Sequence, residues 1–302
     1  MELRHIRYFL AVANEGNFTR AAQRIGIGQP PLSQQIKDLE TEIGAKLFHR
    51  VPHGAILTDA GQAFKAIVCQ FPDLAEQAIH AAQRAARGEV GSIHVGFTGS
   101  AAFNPVVPAA IRAFRRAWPT VKLTLTETNS TRLLTDLIEG HLDAIFLRQK
   151  IVENTNIKLH DLGDEPMLAV VPTSHPAAAH HTVCLAMLQN DPFILTPREV
   201  GPTHFDTVIH ACRNAGFDPQ LGQSAPQIGS VINLVAAELG VSLVPASMGQ
   251  LQVRGVVYRP VMDVPPIAFL ALAYRRDTTS SVIRNFIDST LQDQKQTIAS
   301  VG

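Results

Sequence analysis

The sequence predicts an α/β protein built from a small helical N-terminal module with a β-wing, one long connecting helix and a larger α/β domain. Apolar residues recur at helical spacing through the first 45 residues and then give way to two short strand-like runs. Helical spacing resumes between residues 59 and 88, and from Ser92 onward strand-like and helix-like segments alternate. With 302 residues and 46% apolar composition, the chain is long enough to build two domains.

Composition and charge describe an ordinary globular chain, which we expect in the cytoplasm. No apolar run approaches the roughly 18 residues that span a bilayer, and the charged residues Glu2, Arg4 and Arg7 do not fit a signal peptide. The formal net charge is zero, and residues 1–88 hold only ten Lys and Arg against eight Asp and Glu. Any attraction to a polyanion must therefore come from local placement of charge and from oligomerisation.

The three cysteines, Cys69, Cys184 and Cys212, form no closely spaced pair, which argues against a disulfide framework or a Cys-x-x-Cys zinc site. Buried free thiols are one interpretation of them. A redox switch between Cys184 and Cys212 is the other, and it requires the fold to bring the two thiols together.

No other motif indicates an enzyme, a metal site or a cofactor. The histidines His175, His180 and His181 are separated by Pro176 and alanines, and no carboxylate or cysteine is suitably spaced to complete a metal site, so we expect a solvated loop. The sequence contains no Gly-x-Ser-x-Gly elbow, P-loop or dinucleotide fingerprint.

The first two helices follow from spacing and turn residues. An apolar face is predicted for the first helix, formed by Leu3, Ile6, Leu10 and Ala13. Gly16 and Asn17 interrupt it. We expect Thr19 to cap a second helix over residues 20–25, which ends at a tight turn containing Gly26 and Gly28.

The third helix combines an apolar stripe with a polar face. Pro30 and Pro31 suit a first helical turn. The predicted core stripe consists of Leu32, Ile36, Leu39 and Ile43. The opposite face carries Ser33, Gln34, Lys37 and Thr41, with Gln29 at the helix start. Such side chains can contact base edges and phosphates in a DNA major groove, although a merely solvated face would have the same composition.

The following segment favours the DNA-binding interpretation. Leu47 and Phe48 lead into a basic stretch from His49 to Gly54, which is followed by Ile56 and Leu57. This pattern is typical of a two-stranded wing whose basic tip lies against a phosphate or in the minor groove.

Residues 1 to about 62 resemble the winged helix-turn-helix of LysR-type transcriptional regulators. The matching segments run over residues 3–9, 21–22, 29–36, 39–40, 44, 47–50 and 57–61. The resemblance implies DNA contact by the residues at the start and exposed face of the third helix and in the wing, namely Gln29, Pro30, Pro31, Ser33, Gln34, Lys37 and Arg50. It places His53 at the wing tip, where many members of the family have Arg or Lys.

The connecting segment predicts a helix capped by Thr58, over residues 59–88 and about 43 Å long. Pro72 should kink it near Cys69. Its apolar face needs a partner, and the resemblance implies antiparallel packing on a second subunit, while packing on its own domain is the alternative. A dimer would recognise a roughly two-fold symmetric DNA site. The family habit is a homotetramer.

The C-terminal part alternates strands and helices in two units. The predicted elements of the first unit span residues 93–97, 106–117, 121–126, 132–139 and 142–147. Those of the second span 167–171, 193–195, 205–215, 231–239 and 241–244, after which a strand at 267–274 and a helix beyond Ser280 rejoin the first unit. This order resembles the family's effector domain, with two Rossmann-like lobes similar to type 2 periplasmic binding proteins. Lobe I is expected at about 89–161 and 266–302, and lobe II at about 162–265, so that the domains are 1–58, 59–88 and 89–302.

The strand ends of this domain predict an anion-binding cleft. Hydroxyl-rich loops, Thr98 to Ser100 and Thr128 to Thr131, follow the first two strands, where helix N-termini offer hydrogen-bond donors suited to a carboxylate. Arg148, after the third strand, can add positive charge or form an exposed ion pair. By resemblance, one wall contains Ser100, Asn129 and Ser130, and the other contains Pro202, Thr203, His204, Gln227 and Ile228.

The leading hypothesis is therefore a regulator whose cleft binds a small organic or aromatic carboxylate and which thereby changes the spacing of its DNA-binding heads. The resemblance implies double-stranded DNA, the effector, further copies of the chain and RNA polymerase as partners, without a membrane. A redox-sensing regulator is an alternative, and a solute-binding protein or an enzyme on the same fold is another.

Overall fold

A computed structural model describes residues 1–52, 54–149, 154–262 and 264–299 of the chain. The chain divides into two compact units, Met1–Arg84 and Ala85–Gly302. None of the helices in the described part of the chain combines the length and hydropathy needed to cross a lipid bilayer.

The N-terminal unit is a three-helix core with a β-hairpin. Its elements are α1 (Leu3–Glu15), α2 (Phe18–Ile25), α3 (Gln29–Ile43), β1 (Phe48–Val51), β2 (Gly54–Leu57), α4 (Asp59–Val68) and α5, which runs over Phe71–Ala86. The two strands are antiparallel, with Phe48 opposite Leu57. Buried residues of α1, α2 and α3 pack against Leu47, Phe48 and Ala55, so one core supports both the helices and the wing. The predicted wing over residues 47–57 is thus observed.

Two details of the first helices differ from the predictions. The buried face of α1 consists of Ile6, Phe9 and Val12, whereas Leu3 is exposed at the end of the helix, where no neighbour covers it. The N-cap of α2 is Asn17, not Thr19. The Asn17 side-chain oxygen accepts hydrogen bonds from the backbone N–H groups of Thr19 and Arg20, at 2.9 and 3.0 Å. An Asn placed before the helix satisfies two otherwise free N–H groups, which a Thr inside the first turn cannot do.

The connecting segment is two helices that separate near Cys69, where Pro72 was predicted to kink a single helix over 59–88. The kink is a complete break, so the prediction of one helical rod is wrong. Thr58 caps α4 as expected, accepting a hydrogen bond from Gly61 N at 2.9 Å. The helix ends at Val68, four residues before Pro72. A proline ring clashes with the carbonyl of the residue four positions earlier and offers no N–H to it, so the chain turns here and α5 begins at Phe71.

Gly61 packs against the wing so closely that we expect Gly61→Ala to destabilise the N-terminal unit. A Cβ at this position would lie 2.1 Å from the backbone oxygen of Leu47, which also accepts a hydrogen bond from Thr58 N. Relieving that clash should cost about 2 kcal/mol or more of the free energy of unfolding, measured by urea denaturation. Gly229→Ala is the matched control, because an added Cβ meets nothing within 4 Å there. Equal effects of the two changes would contradict the prediction.

The C-terminal unit begins with lobe I. Its first elements are β3 (Gly91–Phe97), α6 (Gly99–Ala102), α7 (Val106–Ala117), β4 (Val121–Glu127), α8 (Ser130–Ile138) and β5, which covers Ala144–Leu147. They are followed by β6 (Ile157–Pro172), β7 (Pro192–Leu195), α9 (Pro202–Asn214), β8 (Gln220–Ser224), α10 (Ile228–Ala236), β9 (Ser242–Pro245), β10 (Val256–Pro260), β11 (Ile267–Arg275) and α11, which covers Ser281–Ala299.

The strand β6 belongs to both lobes. Its first half, from Ile157 to Pro166, pairs antiparallel with β11, which continues the lobe I sheet through β5, β3 and β4. Its second half, from Met167 to Pro172, pairs with β9 and β10 in lobe II. The crossover at Pro166 and Met167 lies a few residues after the boundary expected near 161. The first half of β6, together with β8 and β10, was missing from the predicted strands.

Candidate functional site

The exposed face of α3 carries the predicted DNA-contact residues. Leu32, Ile36 and Leu39 are buried as predicted, but Ile43 is 38% exposed because the core ends before the last turn of the helix. Gly28 is the N-cap, and Pro30 and Pro31 lie in the first turn. Gln34 and Lys37 are exposed, whereas Gln29 and Ser33 are half-buried. The predicted contact His53 lies outside the described residues.

Polar contacts hold several of these side chains in place. Gln29 Nε2 donates to Ser33 Oγ at 2.9 Å, and Arg50 Nη2, from the wing, donates to the same oxygen at 3.3 Å. Gln34 Nε2 donates to Asp38 Oδ1 at 2.7 Å. Both glutamines donate through Nε2 in these bonds, and an amide oxygen is the type of acceptor that can pair with a base edge.

Glu40 joins α3 to the wing, and sequence reasoning did not find it. Its buried carboxylate accepts hydrogen bonds from Leu47 N at 2.9 Å, Phe48 N at 3.2 Å and Lys46 Nζ at 2.8 Å. Burial opposes ionisation of this carboxyl, but the bonds from Lys46, Leu47 and Phe48 outweigh it and hold the pKa of Glu40 below its usual value. The carboxylate therefore fixes the wing strand β1 against the end of α3.

A cleft lies between the two lobes of the C-terminal unit and is lined by residues of both lobes. Predicted residues lining it are Thr98, Ser100, Asn129, Ser130, Arg148, Thr203, His204, Gln227 and Ile228. Pro202 is not among the lining residues. Further lining residues that the sequence did not suggest include Thr196, Thr207, Met167 and Phe269.

Beside the four-residue α6, three longer helices of lobes I and II begin at this cleft, namely α8, α9 and α10. Asn129 caps α8 by accepting a hydrogen bond from Arg132 N at 2.9 Å. Gly201 precedes α9, and Gln227 precedes α10 without forming a side-chain cap. The first N–H groups of a helix have no acceptor within the helix, and each N-terminus carries roughly half a positive unit charge. The three ends together make the cleft a favourable place for an anion.

Arg148 lies at the end of β5 and is only 7% exposed, so the alternative of an exposed ion pair is wrong. Its Nη1 is 2.6 Å from Glu165 Oε1 in a buried ion pair, and its Nη2 donates to Ser100 O at 2.9 Å and Ser247 Oγ at 3.3 Å. Among the described residues, its Nε has no hydrogen-bond partner. Nη1 likewise makes no hydrogen bond of standard geometry with the described residues, although it lies in the ion pair with Glu165. The buried guanidinium therefore keeps hydrogen-bonding capacity that the described protein atoms do not use.

Glu165, in the polar first half of β6, completes this arrangement. It accepts hydrogen bonds from Asn104 Nδ2 at 2.9 Å and from Ser247 N and Oγ at 2.6 and 3.0 Å. Burial raises the pKa of Glu165, but the positive charge of Arg148 and these donors outweigh burial and hold the pKa below its usual value. The pair is thus ionised, and it connects residues of both lobes beneath the cleft.

His204, in the first turn of α9, lines the cleft as a neutral imidazole. Its Nε2 lies 2.9 Å from Leu243 O and its Nδ1 lies 3.4 Å from Thr196 Oγ1, so the tautomer with a proton on Nε2 satisfies both neighbours. Burial, together with the charge of Arg148, lowers the pKa of His204.

The cysteines and the other histidines lie elsewhere. Cys212 is buried in the lobe II core, and burial raises the pKa of its thiol to about 12, which makes it unreactive at neutral pH. His180 and His181 are exposed as expected. His175 is not a solvated residue, because it accepts a hydrogen bond from Ala177 N and lies 3.1 Å from Asp191 Oδ2.

Comparisons with known proteins match both the N-terminal and the C-terminal part of the chain. Residues 86–295 match the LysR substrate binding domain, and residues 3–62 match the bacterial regulatory helix-turn-helix protein, lysR family. The chain is 38% identical over 288 residues to the HTH-type transcriptional regulator BudR of Raoultella terrigena, which covers 95% of this chain and 99% of that protein. It is 36% identical over 297 residues to AlsR of Bacillus subtilis (strain 168), covering 98% of each.

A similar solved structure is that of full-length CbnR complexed with its target DNA, with a TM-score of 0.82 and 26% sequence identity, covering 97% of this chain and all of that one. In that structure the full-length relative is bound to its target DNA. These relatives are named as regulators, and the matching domains span nearly the whole sequence. The chain belongs to the LysR family and is a DNA-binding transcriptional regulator with a C-terminal effector domain.

Proposed function

We propose that the effector is a small organic carboxylate and that it binds in the cleft between lobes I and II. The observation that carries this proposal is the convergence of three helix N-termini and the buried Arg148 on one cleft. Because Glu165 already neutralises Arg148, the net attraction for an anion comes mainly from the helix ends, while the guanidinium adds a charged hydrogen-bond donor group to the lining of the cleft. The hydroxyls of Thr98, Ser100 and Thr203 can complete the coordination of a carboxylate.

On the DNA side, we propose that Gln29, Ser33, Gln34 and Lys37 contact bases or phosphates in the major groove, while Arg50 contacts the backbone. Paired copies of the chain in a dimer or tetramer would present two such helices to a roughly two-fold symmetric site in the cytoplasm. The weak charge excess of the N-terminal part supports this pairing, since one head alone has little electrostatic attraction for DNA. Effector binding would then change the relative position of the heads.

The effector proposal predicts selective stabilisation by carboxylates. A thermal-shift screen of the full-length chain should find a small carboxylate, such as a member of an acetate, succinate and benzoate panel, that raises Tm. The corresponding carboxamide should not, because it lacks the negative charge. We expect Thr203→Val to weaken binding of the active carboxylate by about tenfold, since it removes one hydrogen bond to a charged group.

Thr124→Val is the control for this variant, because it makes the same chemical change on the exposed part of β4, outside the cleft. Its affinity for the carboxylate should match that of the unchanged protein. Equal stabilisation by acids and amides, or equal losses in the two Thr→Val variants measured by calorimetry, would contradict a carboxylate site at this position.

A further inference from the structure

Three elements of the N-terminal unit meet around the side chain of Arg50. Arg50 lies in the wing strand β1, Ser33 lies in the first turns of α3, and Phe18 is the first residue of α2. The Arg50 guanidinium carbon lies 5.1 Å from the centre of the Phe18 ring, and Nη2 donates to Ser33 Oγ at 3.3 Å. An exposed arginine is thus held between an aromatic face and a hydroxyl at the DNA-contact end of α3.

The Phe18 ring is itself fixed by the core. It packs edge-on against Phe48, with ring centres 5.8 Å apart, and Phe48 packs against the fully buried Phe9 at 5.2 Å. The ring therefore cannot turn away without disturbing buried aromatic contacts. A positive charge over such a ring face is attracted to its electron density. A continuous series of aromatic contacts thus runs from the buried Phe9 through Phe48 to Phe18, which lies beneath the exposed Arg50 guanidinium.

Ser33 Oγ accepts hydrogen bonds from both Arg50 and Gln29. Two predicted DNA-contact side chains are therefore held by the same hydroxyl. An unsupported arginine samples many rotamers in water, and immobilising it on DNA would cost entropy. Contacts that hold it before DNA arrives reduce that cost. A lysine at position 50 could also contact a DNA phosphate, but it lacks the planar guanidinium group that stacks on an aromatic ring.

We propose that Phe18 is a positioning residue for Arg50, holding the guanidinium ready to contact DNA rather than serving only as a core residue. This inference rests on the proposed contact between Arg50 and DNA and is independent of the effector proposal. Phe18 itself does not touch the DNA. The interaction that carries the effect is the stacking of Arg50 on its ring.

The test is a double-mutant cycle on the full-length chain, with fluorescence anisotropy of a labelled duplex from the region upstream of its own gene, titrated at several salt concentrations. We expect Arg50→Ala to weaken binding and to reduce the slope of log K against log salt by about one. Phe18→Leu should weaken binding about threefold when Arg50 is present and leave it unchanged when Arg50 is Ala. Phe18→Tyr, which keeps the aromatic face, should bind like the unchanged protein.

Phe64→Leu is the matched control, because Phe64 packs on Phe9 in the same core but does not contact Arg50. Thermal unfolding of each variant shows which ones are folded, and Phe18→Met provides a second non-aromatic variant if Phe18→Leu is unstable. If Phe18→Leu weakens binding equally with and without Arg50, or no more than Phe64→Leu does, Phe18 is a core residue and the proposal is overturned. If Arg50→Ala changes neither affinity nor salt slope, the DNA contact of Arg50 and the positioning role both fail, whereas the carboxylate site is unaffected.

Discussion

Replacing Arg148 with methionine is expected to lower the free energy of unfolding of the C-terminal unit by about 4 kcal/mol and to abolish stabilisation by carboxylates. Methionine occupies a similar stem volume, so the main effect is to leave the Glu165 carboxylate buried without its cation. Asn104 and Ser247 still donate to it, but neither supplies charge. Urea denaturation and the thermal-shift screen measure the two effects.

The double variant Arg148→Met with Glu165→Gln separates structure from binding. It removes both charges, so much of the lost stability should return. The amide oxygen of Gln can still accept from Asn104 Nδ2 and Ser247 Oγ, although the amide nitrogen cannot accept from Ser247 N. The response to carboxylates should not return, since the guanidinium is absent. If Arg148→Met lowers the free energy of unfolding by less than about 1 kcal/mol, the ion pair between Arg148 and Glu165 behaves like an exposed one, and the prediction is contradicted.

Replacing Glu40 with alanine is expected to cost about 3 kcal/mol of unfolding free energy in the N-terminal unit and to weaken DNA binding strongly. The variant leaves the N–H groups of Leu47 and Phe48 without an acceptor in a buried place and frees the start of the wing. Glu40→Gln keeps an acceptor oxygen and should lose only about 1 kcal/mol. Chemical denaturation, together with DNA anisotropy, distinguishes a loosened wing from global unfolding.

The same carboxylate gives the N-terminal unit a defined pH dependence. The pKa of Glu40 in the folded state lies below its ordinary value of 4.5, so the unfolded state binds the proton more readily. The stabilisation is therefore complete above pH of about 4.5 and is lost as the pH falls through the folded pKa. The stability difference between the unchanged protein and Glu40→Gln should be constant near neutrality and shrink in acid. A difference independent of pH would contradict an ionised Glu40.

The sequence predicted the parts of both sites that depend on local pattern. The apolar stripe of α3 and its Pro30–Pro31 start are set by neighbours in the chain, and the wing follows from two short runs around a basic turn. Glu40 was missed because its partners are backbone N–H groups seven and eight residues away, which leave no side-chain signature. Its position on the helix resembles that of any surface acid.

Elements that depend on tertiary pairing were the ones missed. The first half of β6 carries charged residues up to Glu165 and reads as a loop, and only pairing with β11 makes it a strand. Arg148 was placed correctly at the end of its strand, but whether it is buried depends on Glu165, whose role was invisible in sequence. The effect of Pro72 was underestimated, because a kink and a complete break differ only in whether neighbouring turns hold the helix together.

The continuous strand β6 also limits how the lobes can answer a bound ligand. Sliding one lobe along the other would have to stretch β6 between its first half, which is hydrogen-bonded to β11, and its second half, which is hydrogen-bonded to β9 and β10. Twisting a strand, in contrast, preserves its ladder and is a natural deformation of a sheet. A ligand bound between the lobes is therefore expected to change the angle between them more than the distance.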